Sequence, residues 1–476
     1  MGRTPILDAL LEYIKEENSP FSMPGNKSGR GFMNSDRRKD IREVLLRGDI
    51  TEVDGLDNLH HPEGIIKEAQ EMLSRFYGSN KSYFLVNGST SGNLAMIFSA
   101  FDEGDKVLVE RNCHRSIFNG IIMRKLKPVY IKNYINKNYN APISIDMEHF
   151  LQVLEDNADI KGIILTYPNY YGITPDLKFI AGVCREKEIK VLVDCAHGAH
   201  FGISQELPEN PMKLGADMAV MSAHKTLPSL TQTAYLHIGK DVNEEMVDFY
   251  VSAFTSTSPS YILMAMMDYA RHYLESRGRE VFENCIKAAE QLRRKISLLK
   301  VFHAITEEDI RKENPQWNIR ADRTRLVINV EKGYNAHSIL HYLRSSGVQC
   351  EMSDGFNLIL ILSPFNNDED YEKLIHALES CPTDSFKNDY FPVYAGSLPE
   401  QAYLPWQAAK MKHIKASIEG SAGLISAVNI VPYPPGIPIV MMGEVIDKEA
   451  ADMIQYYISN GVTVLGIEGH KIYTIG

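Results

Sequence analysis

The sequence predicts an α/β fold: a mostly parallel sheet with helices on both faces, an N-terminal arm, and a smaller C-terminal α+β part. Two patterns carry this. Between about Lys81 and Ile238 the apolar runs "KVLVE", "IKGIILTYP", "IKVLVDCAH" and "ADMAVMSAH" alternate with segments such as "DLKFIAGVCREKE", whose apolar residues recur with helical period. Runs that are apolar throughout read as strands covered on both faces, and a helix after each is the crossover that a parallel pair needs. Further on, "TRLVINVEKGYNAHSILHYLRSSGVQCEMSDGFNLILILSP" reads as strand, helix, strand, strand, the grammar of a small α+β unit.

The elements follow in chain order. A chain of 476 residues is too long for one ordinary core. Residues 1–30 are assigned to an arm whose opening, "MGRTPILDALLEYIKEENSP", sets Asp8, Glu12, Glu16 and Glu17 among apolar residues. That spacing predicts a short amphipathic helix and lacks the uninterrupted apolar core of a signal peptide. Residues 31–300 form the large domain, closed by two long helices over 255–299, and 301–395 form the small α+β domain. Residues 396–476 form a C-terminal domain in which "PYPPGIP" reads as a rigid turn.

Charge and composition exclude some functions. A net charge of -11, with no concentrated basic stripe, argues against nucleic acid or an anionic membrane as partner. No run reaches the roughly 18 apolar residues of a membrane span. The six cysteines, Cys113, Cys184, Cys195, Cys285, Cys350 and Cys381, contain no C-x-x-C pair and fit free thiols in a reducing compartment. The expected location is the cytoplasm.

Ligands of such sheets bind beyond the carboxyl ends of the strands, and four polar clusters follow the apolar runs. "FLVNGSTSGNLAMIFSAF" places Ser89, Thr90 and Ser91 at a helix start, where hydroxyls and free N–H groups suit a phosphate. Alone, this is an ordinary N-cap. His114 follows the next strand, and taken singly is a structural histidine. "KVLVDCAHGAHFG" ends a strand on Asp194, which needs a partner if buried, and then presents Ala196, His197 and His200. Finally "SAHK" brings Ser222, His224 and Lys225 into apolar surroundings, where desolvation leaves more of the lysine as a neutral, nucleophilic amine. A snorkelling lysine is the bland alternative. The combination is what counts: a phosphate cup, a histidine, a strand-end aspartate and a lysine 31 residues later are the parts that hold pyridoxal phosphate. The rival is a metal site on Asp194, His197 and His200, which leaves Lys225 and the hydroxyl cup without a role.

With "TPILDAL", "MPGNK", "GLDNLHHPEG", "RNCHRS", "YPNYYG", "SAHKTLPSLTQ", "TSTSPSY" and "YPPGIP" followed by "GE", the chain resembles the Orn/Lys/Arg decarboxylases almost end to end. These are pyridoxal-phosphate enzymes of the aspartate-aminotransferase fold type. The resemblance implies that Lys225 carries the cofactor as a Schiff base, Asp194 pairs with the pyridinium, His114 stacks on the ring and Ala196 packs beneath it. Ser89, Thr90, Ser91, Ser222 and His224 would surround the phosphate, with His197 also in the cofactor site and Ser258 reaching in from a partner subunit. No metal is expected. Two positions depart from the family pattern: Asn26 stands within "PGNK" where a histidine is common, and Cys195 follows Asp194 where an acid is frequent. Without room for the extra N-terminal domain by which large members build decamers, a homodimer or a dimer of dimers with shared sites is expected.

The implied reaction is decarboxylation of a basic amino acid, in the chemistry of polyamine biosynthesis. Arginine, giving agmatine, ranks ahead of lysine and ornithine, and an aminotransferase reaction on the same scaffold ranks below these. Lys225 and His114 are the candidate proton donors. For the far cation Glu444, Asp354 and Asp57 are candidate counter-charges, and His60 and His61 are assigned to capping or interface packing.

Overall fold

The structure is a computed structural model describing residues 4–312, 314–387, 398–433 and 438–476. Seven strands make the central sheet: β1 (Lys81–Leu85), β2 (Lys106–Glu110), β3 (Lys127–Ile131), β4 (Ile160–Thr166), β5 (Lys190–Asp194), β6 (Met218–Met221) and β7 (Ala234–Ile238). Their order is β1-β7-β6-β5-β4-β2-β3, parallel throughout except that β7 runs antiparallel to both β6 and β1. Strands β6 and β7 are buried along their whole length and β5 along all but its first residue, which is why each reads as an unbroken apolar run. Register sets the functional edge. Thr166 on β4, Asp194 on β5 and Val220 on β6 lie level, so the residues after them emerge at one rim.

Three helices bear on function: α1 (Pro5–Lys15), α2 (Gly88–Ala100) and α3 (Arg115–Arg124). Helix α2 lies so close to the sheet that a Cβ on Gly92 would sit 2.5 Å from Leu85 Cδ1 and 3.1 Å from Val220 Cγ1. The glycine of "GSTSGN" therefore fixes how near the helix start comes to the strand ends. The two helices expected over 255–299 are Tyr261–Tyr273 and Arg279–Ile296, joined without a break through the π-helical turn Leu274–Gly278.

The second sheet contains β8 (Phe302–Ala304), β9 (Arg325–Val330), β10 (Met352–Ser353) and β11 (Asn357–Ile361), in the order β8-β9-β11-β10 and antiparallel throughout. The N-terminal arm divides into two parts of different character. Helix α1 has no buried residue and exposes Ile6, Leu7, Leu10, Leu11 and Ile14. Beyond it, Ser19–Phe21 pairs parallel with Val348–Cys350, and the "PGNK" turn fastens onto the loop after Lys225. Gly25 N–H donates to His224 O at 2.8 Å, and a Cβ on Gly25 would lie 2.5 Å from the Thr226 carbonyl carbon. Asn26, one of the two departures, donates to Ser229 O at 2.9 Å and accepts from Gly29 N at 2.9 Å. It is a fastener in the same turn. Cys195, the other departure, is fully buried in the apolar core.

The C-terminal part is tied to the sheet by a buried ion pair. Arg111, after β2, donates to both Glu444 carboxylate oxygens at 2.6 Å, and neither residue is more than 2% exposed. Glu444 also accepts from Met441 N at 2.7 Å. This corrects the expectation that Glu444 faces a substrate cation: its oxygens are already committed, and losing one partner of such a pair costs about 3–5 kcal/mol. The rest of this part is the three-stranded sheet His413–Ser417, Ile467–Glu468 and Lys471–Ile475, with the helix Lys448–Ser459. The "PYPPGIP" turn, in its residues 434–437, and the boundary expected at 395/396 lie outside the described residues.

Lys27 is a second interior lysine. It is fully buried and donates to Ser22 O at 2.6 Å and Ile361 O at 2.9 Å. Burial lowers its pKa to about 7, against about 10.4 in an unfolded chain. Between these values the unfolded state holds one proton more, so this group makes stability rise with pH from about 7 to 10, by about 1.4 kcal/mol per unit. Unfolding free energies across that window are expected to climb more steeply for the wild type than for Lys27→Met. Equal slopes would contradict the assignment.

Candidate active site

Asp194 anchors the rim. It closes β5 at 2% exposure; Oδ1 accepts from Ala196 N at 3.1 Å and Oδ2 from Asn93 Nδ2 at 2.8 Å. Asn93, on the buried face of α2, also donates to Ser116 Oγ at 2.9 Å. Ser116 sits at the start of α3, where its N–H donates to His114 Nδ1 at 3.3 Å and its hydroxyl lies 2.8 Å from the same nitrogen. Because Nδ1 accepts the N–H, the hydroxyl also donates to it, and the proton of the neutral imidazole is on Nε2. A single chain of hydrogen bonds thus runs from Asp194 through Asn93 and Ser116 to His114. His114 is exposed, and desolvation lowers its pKa below the ordinary histidine value.

Lys225 lies in the short helix after β6, and its Nζ is 3.0 Å from His197 Nε2. On the far side of that ring, Arg325 Nη2 is 3.3 Å from Nδ1. A guanidinium only donates, so Nδ1 is the acceptor and the single proton of a neutral His197 is on Nε2. That proton then points at Lys225, whose nitrogen accepts it only as the free amine. Burial lowers the Lys225 pKa, with Asp194 and Glu351 opposing, and burial, with the Arg325 cation beside the ring, pushes His197 well below the usual imidazole range. Both effects favour an uncharged pair.

Hydroxyls converge beside the lysine. Ser222 Oγ donates to Ser89 Oγ at 3.0 Å, joining the end of β6 to the start of α2. Asn87 makes no side-chain cap on α2, which leaves first-turn N–H groups available to an anion. Thr90 is exposed at this end, whereas Ser91 is buried and donates to Gly88 O at 2.8 Å. His224 Nδ1 donates to Thr233 O at 2.8 Å, and burial lowers its pKa to about 4. Ala196 is buried beside Asp194. Ser258 is on an exposed loop, where it donates its N–H to Ser256 Oγ at 3.2 Å, and Ser256 N in turn donates to Asn87 Oδ1 at 3.1 Å at the start of α2. The donor chemistry fits pyridoxal phosphate: an amine for the aldehyde, a buried carboxylate for the ring nitrogen, and hydroxyls with an uncapped helix start for the phosphate.

The metal alternative needs Asp194, His197 and His200 to converge. His197 turns to Lys225, while His200 turns to Asp322, with Nε2 at 3.3 Å from the carboxylate, and stacks on Phe282 at 4.9 Å. Among the described residues, no group of three His, Cys, Asp or Glu is placed to hold a metal.

The proposed far-cation carboxylates also need correction. Asp354 is half-buried and accepts from the Tyr171 hydroxyl and from Asn357 N at 2.7 Å. Asp57 caps the helix Ile65–Tyr77, accepting from Gly64 N and Ile66 N, both at 2.9 Å. A carboxylate that satisfies backbone donors in this way serves the fold. His60 bonds Ser256 O at 2.8 Å, and His61 is an exposed neighbour of Glu63.

Four residues of this site escaped the sequence reading. Asn93 left a signal, a polar residue one helical turn after Ser89 in an otherwise apolar helix. Arg325 left another, a cation opening the apolar run "RLVINV". Glu351 accepts from Tyr170 Oη at 3.2 Å and Met23 N at 2.9 Å, and with Asp194 is one of the two carboxylates that raise the Lys225 pKa. Tyr170 packs on His197 with ring centroids 4.7 Å apart. Neither Glu351 nor Tyr170 is distinguishable from surface residues by spacing.

Comparison with known proteins agrees with this geometry. Residues 4–370 match the Orn/Lys/Arg decarboxylase major domain, and residues 385–461 match the C-terminal domain of the same family. The protein YaaO of Bacillus subtilis is 36% identical, over 97% of this chain and 96% of its own. The arginine decarboxylase of Bacillus anthracis is 32% identical, over 99% and 96%. In fold the chain is similar to the constitutive lysine decarboxylase of E. coli, with a TM-score of 0.77 at 20% identity, covering 100% of this chain and 82% of that one. The chain belongs to the Orn/Lys/Arg decarboxylase family.

Proposed function

We propose that this protein decarboxylates a basic amino acid with pyridoxal phosphate held at Lys225, and that arginine, converted to agmatine, is its preferred substrate. The observation that carries the reading is Lys225 Nζ set 3.0 Å from His197 Nε2 beside the buried Asp194. Pyridoxal phosphate, when bound, supplies an electron sink for the pair left on Cα as carbon dioxide departs. The chain supplies the rest. Lys225 offers a neutral nucleophile. Asp194, fixed by Asn93 and Ala196 N–H, is the carboxyl group that would meet a ring nitrogen. Ser89, Thr90, Ser91, Ser222 and His224 are the proposed phosphate neighbours, and Ala196 and His114 would hold the ring. His114 holds a proton on Nε2 and is, with Lys225, a donor for its return to Cα.

The arginine preference is supported by relatives that are themselves arginine decarboxylases at 31% to 33% identity. Lysine and ornithine remain the alternatives. Glu444 is held by Arg111, and Asp354 and Asp57 each accept from several donors, whereas each oxygen of Glu351 accepts a single bond among the described residues, from Met23 N and from the Tyr170 hydroxyl that packs on His197; Glu351 is therefore the proposed counter-charge for the distal cation. The six free cysteines support a reducing, cytoplasmic setting. Incubation with arginine, lysine and ornithine in turn, with identification of the amine formed, tests the reading. Agmatine is expected with the highest kcat/KM, and Glu351→Gln is expected to lower that value by about thirtyfold or more, as for a broken charge pair worth about 2 kcal/mol. Preferred formation of cadaverine or putrescine overturns the arginine assignment, and release of ammonia or a keto acid in place of carbon dioxide overturns the decarboxylase.

The active unit is proposed to be a homodimer, or a dimer of dimers, with shared sites. The apolar face of α1, uncovered in one chain, supports this. Mixed Lys225→Ala and Ser258→Trp subunits, each inactive alone, are then expected to regain part of the activity. No recovery on mixing would count against sharing.

A further inference from the structure

A cavity of about 330 Å³ with Arg325 in its wall lies between the large domain and the β8 to β11 sheet. That volume is at the lower end of the roughly 300–1,000 Å³ of small-molecule sites. Three of its lining residues, Asn136, Arg293 and Arg325, are at most 6% exposed, and each keeps a buried N–H donor with no partner among the described residues: Asn136 Nδ2, Arg293 Nε and Arg325 Nε. Interior donors are almost always satisfied, so three open ones around one space form a pattern.

The other contacts of these groups show what is missing. Asn136 Oδ1 is occupied, accepting from Asn138 N at 2.9 Å and Tyr139 N at 3.0 Å. Arg293 donates through its terminal nitrogens to Glu290 Oε1 at 3.0 Å, Arg323 O at 3.1 Å and Arg325 O at 2.7 Å. Arg325 donates to Tyr170 O at 3.4 Å and to His197, and makes no ion pair among the described residues. Of the four acids that line the cavity among the described residues, Glu290 accepts from Arg293 and Arg323, and Glu308 is exposed and 3.9 Å from Lys312. Glu307 accepts from Arg320 Nε at 3.2 Å and Ala321 N at 2.9 Å, and Asp322 accepts from Thr324 Oγ1 at 2.6 Å. The buried Asp322 carboxylate already supplies negative charge near Arg325 and Arg293, so the unmet need is for an acceptor for the three open N–H groups. Ile143, Ile305 and Val327 make the opposite wall apolar.

We infer that this cavity is a binding site for a small carboxylate with a compact apolar body, separate from the Lys225 site. The carboxylate would take the open N–H groups of Asn136, Arg293 and Arg325, while the body packs on Ile143, Ile305 and Val327. Arg325 belongs to both places, since its Nη2 donates to His197, so an occupant is positioned to act on the Lys225 environment.

Three probes of one shape and different head group test this on the purified protein by calorimetry: isovalerate, 3-methylbutan-1-ol and 3-methylbutylamine. Isovalerate is expected to bind saturably, with the alcohol and the amine at least tenfold weaker. Asn136→Asp keeps the acceptor that holds the local turn and exchanges the open donor for a negative oxygen, so it is expected to weaken isovalerate at least tenfold. Lys225→Ala is expected to leave isovalerate binding within twofold. The inference is overturned by no saturable binding, by equal binding of the alcohol, by an Asn136→Asp protein that binds like the wild type, or by loss of binding in Lys225→Ala, which would place the probe in the other site.

Discussion

An amine can act as a nucleophile at neutral pH only if its surroundings make the ammonium form costly, and the structure around Lys225 is arranged to that end. Burial lowers its pKa, and the hydrogen bond from His197 requires the free base on the receiving side. That bond is possible only because Arg325 occupies the other ring nitrogen, and Arg325 opens a strand of the second sheet. The state of a lysine on the first sheet is therefore set by a residue of the second.

The counter-charge is held by equally few residues. Asp194 would be expensive to bury alone, and Asn93 answers this from α2 while using its second proton to position Ser116 and, through it, His114. Gly92, next to Asn93, lets the helix come close enough for these bonds to form. The "PGNK" turn presses against the loop after Lys225, and the Arg111 and Glu444 pair ties the C-terminal part to the end of β2. Each domain thus contributes a fastening to one rim.

Much of this was legible in the sequence because burial leaves strong patterns. Strands β2, β4, β5 and β6 are covered on both faces and so appear as unbroken apolar runs, and polar residues directly after them had to fall at one edge. Asp194, Lys225, Ser89 and Ser222 were found on that basis, and the structure brings them together. What was not legible depends on contacts across hundreds of positions. Glu444 resembled a free acid because its partner, Arg111, is 333 residues away in sequence. Asp354 and Asp57 were misread for a related reason: a carboxylate that caps a turn or helix looks in sequence like one that faces solvent. Arg325 and Glu351 escaped because a charge beside an apolar strand has no period to mark it.

The central claim is that Lys225, and no other interior lysine, is the amine that holds the cofactor. Lys27 makes the contrast informative, since it too is buried and has a lowered pKa, to about 7, but its hydrogens are taken by two backbone carbonyls. Protein purified with pyridoxal phosphate, reduced with borohydride, digested and mapped by mass spectrometry gives the decisive reading. The cofactor's mass is predicted on the peptide containing Lys225, and absent from the Lys225→Ala protein. A stable adduct on Lys27 or another lysine, or an adduct that survives Lys225→Ala, would contradict the account.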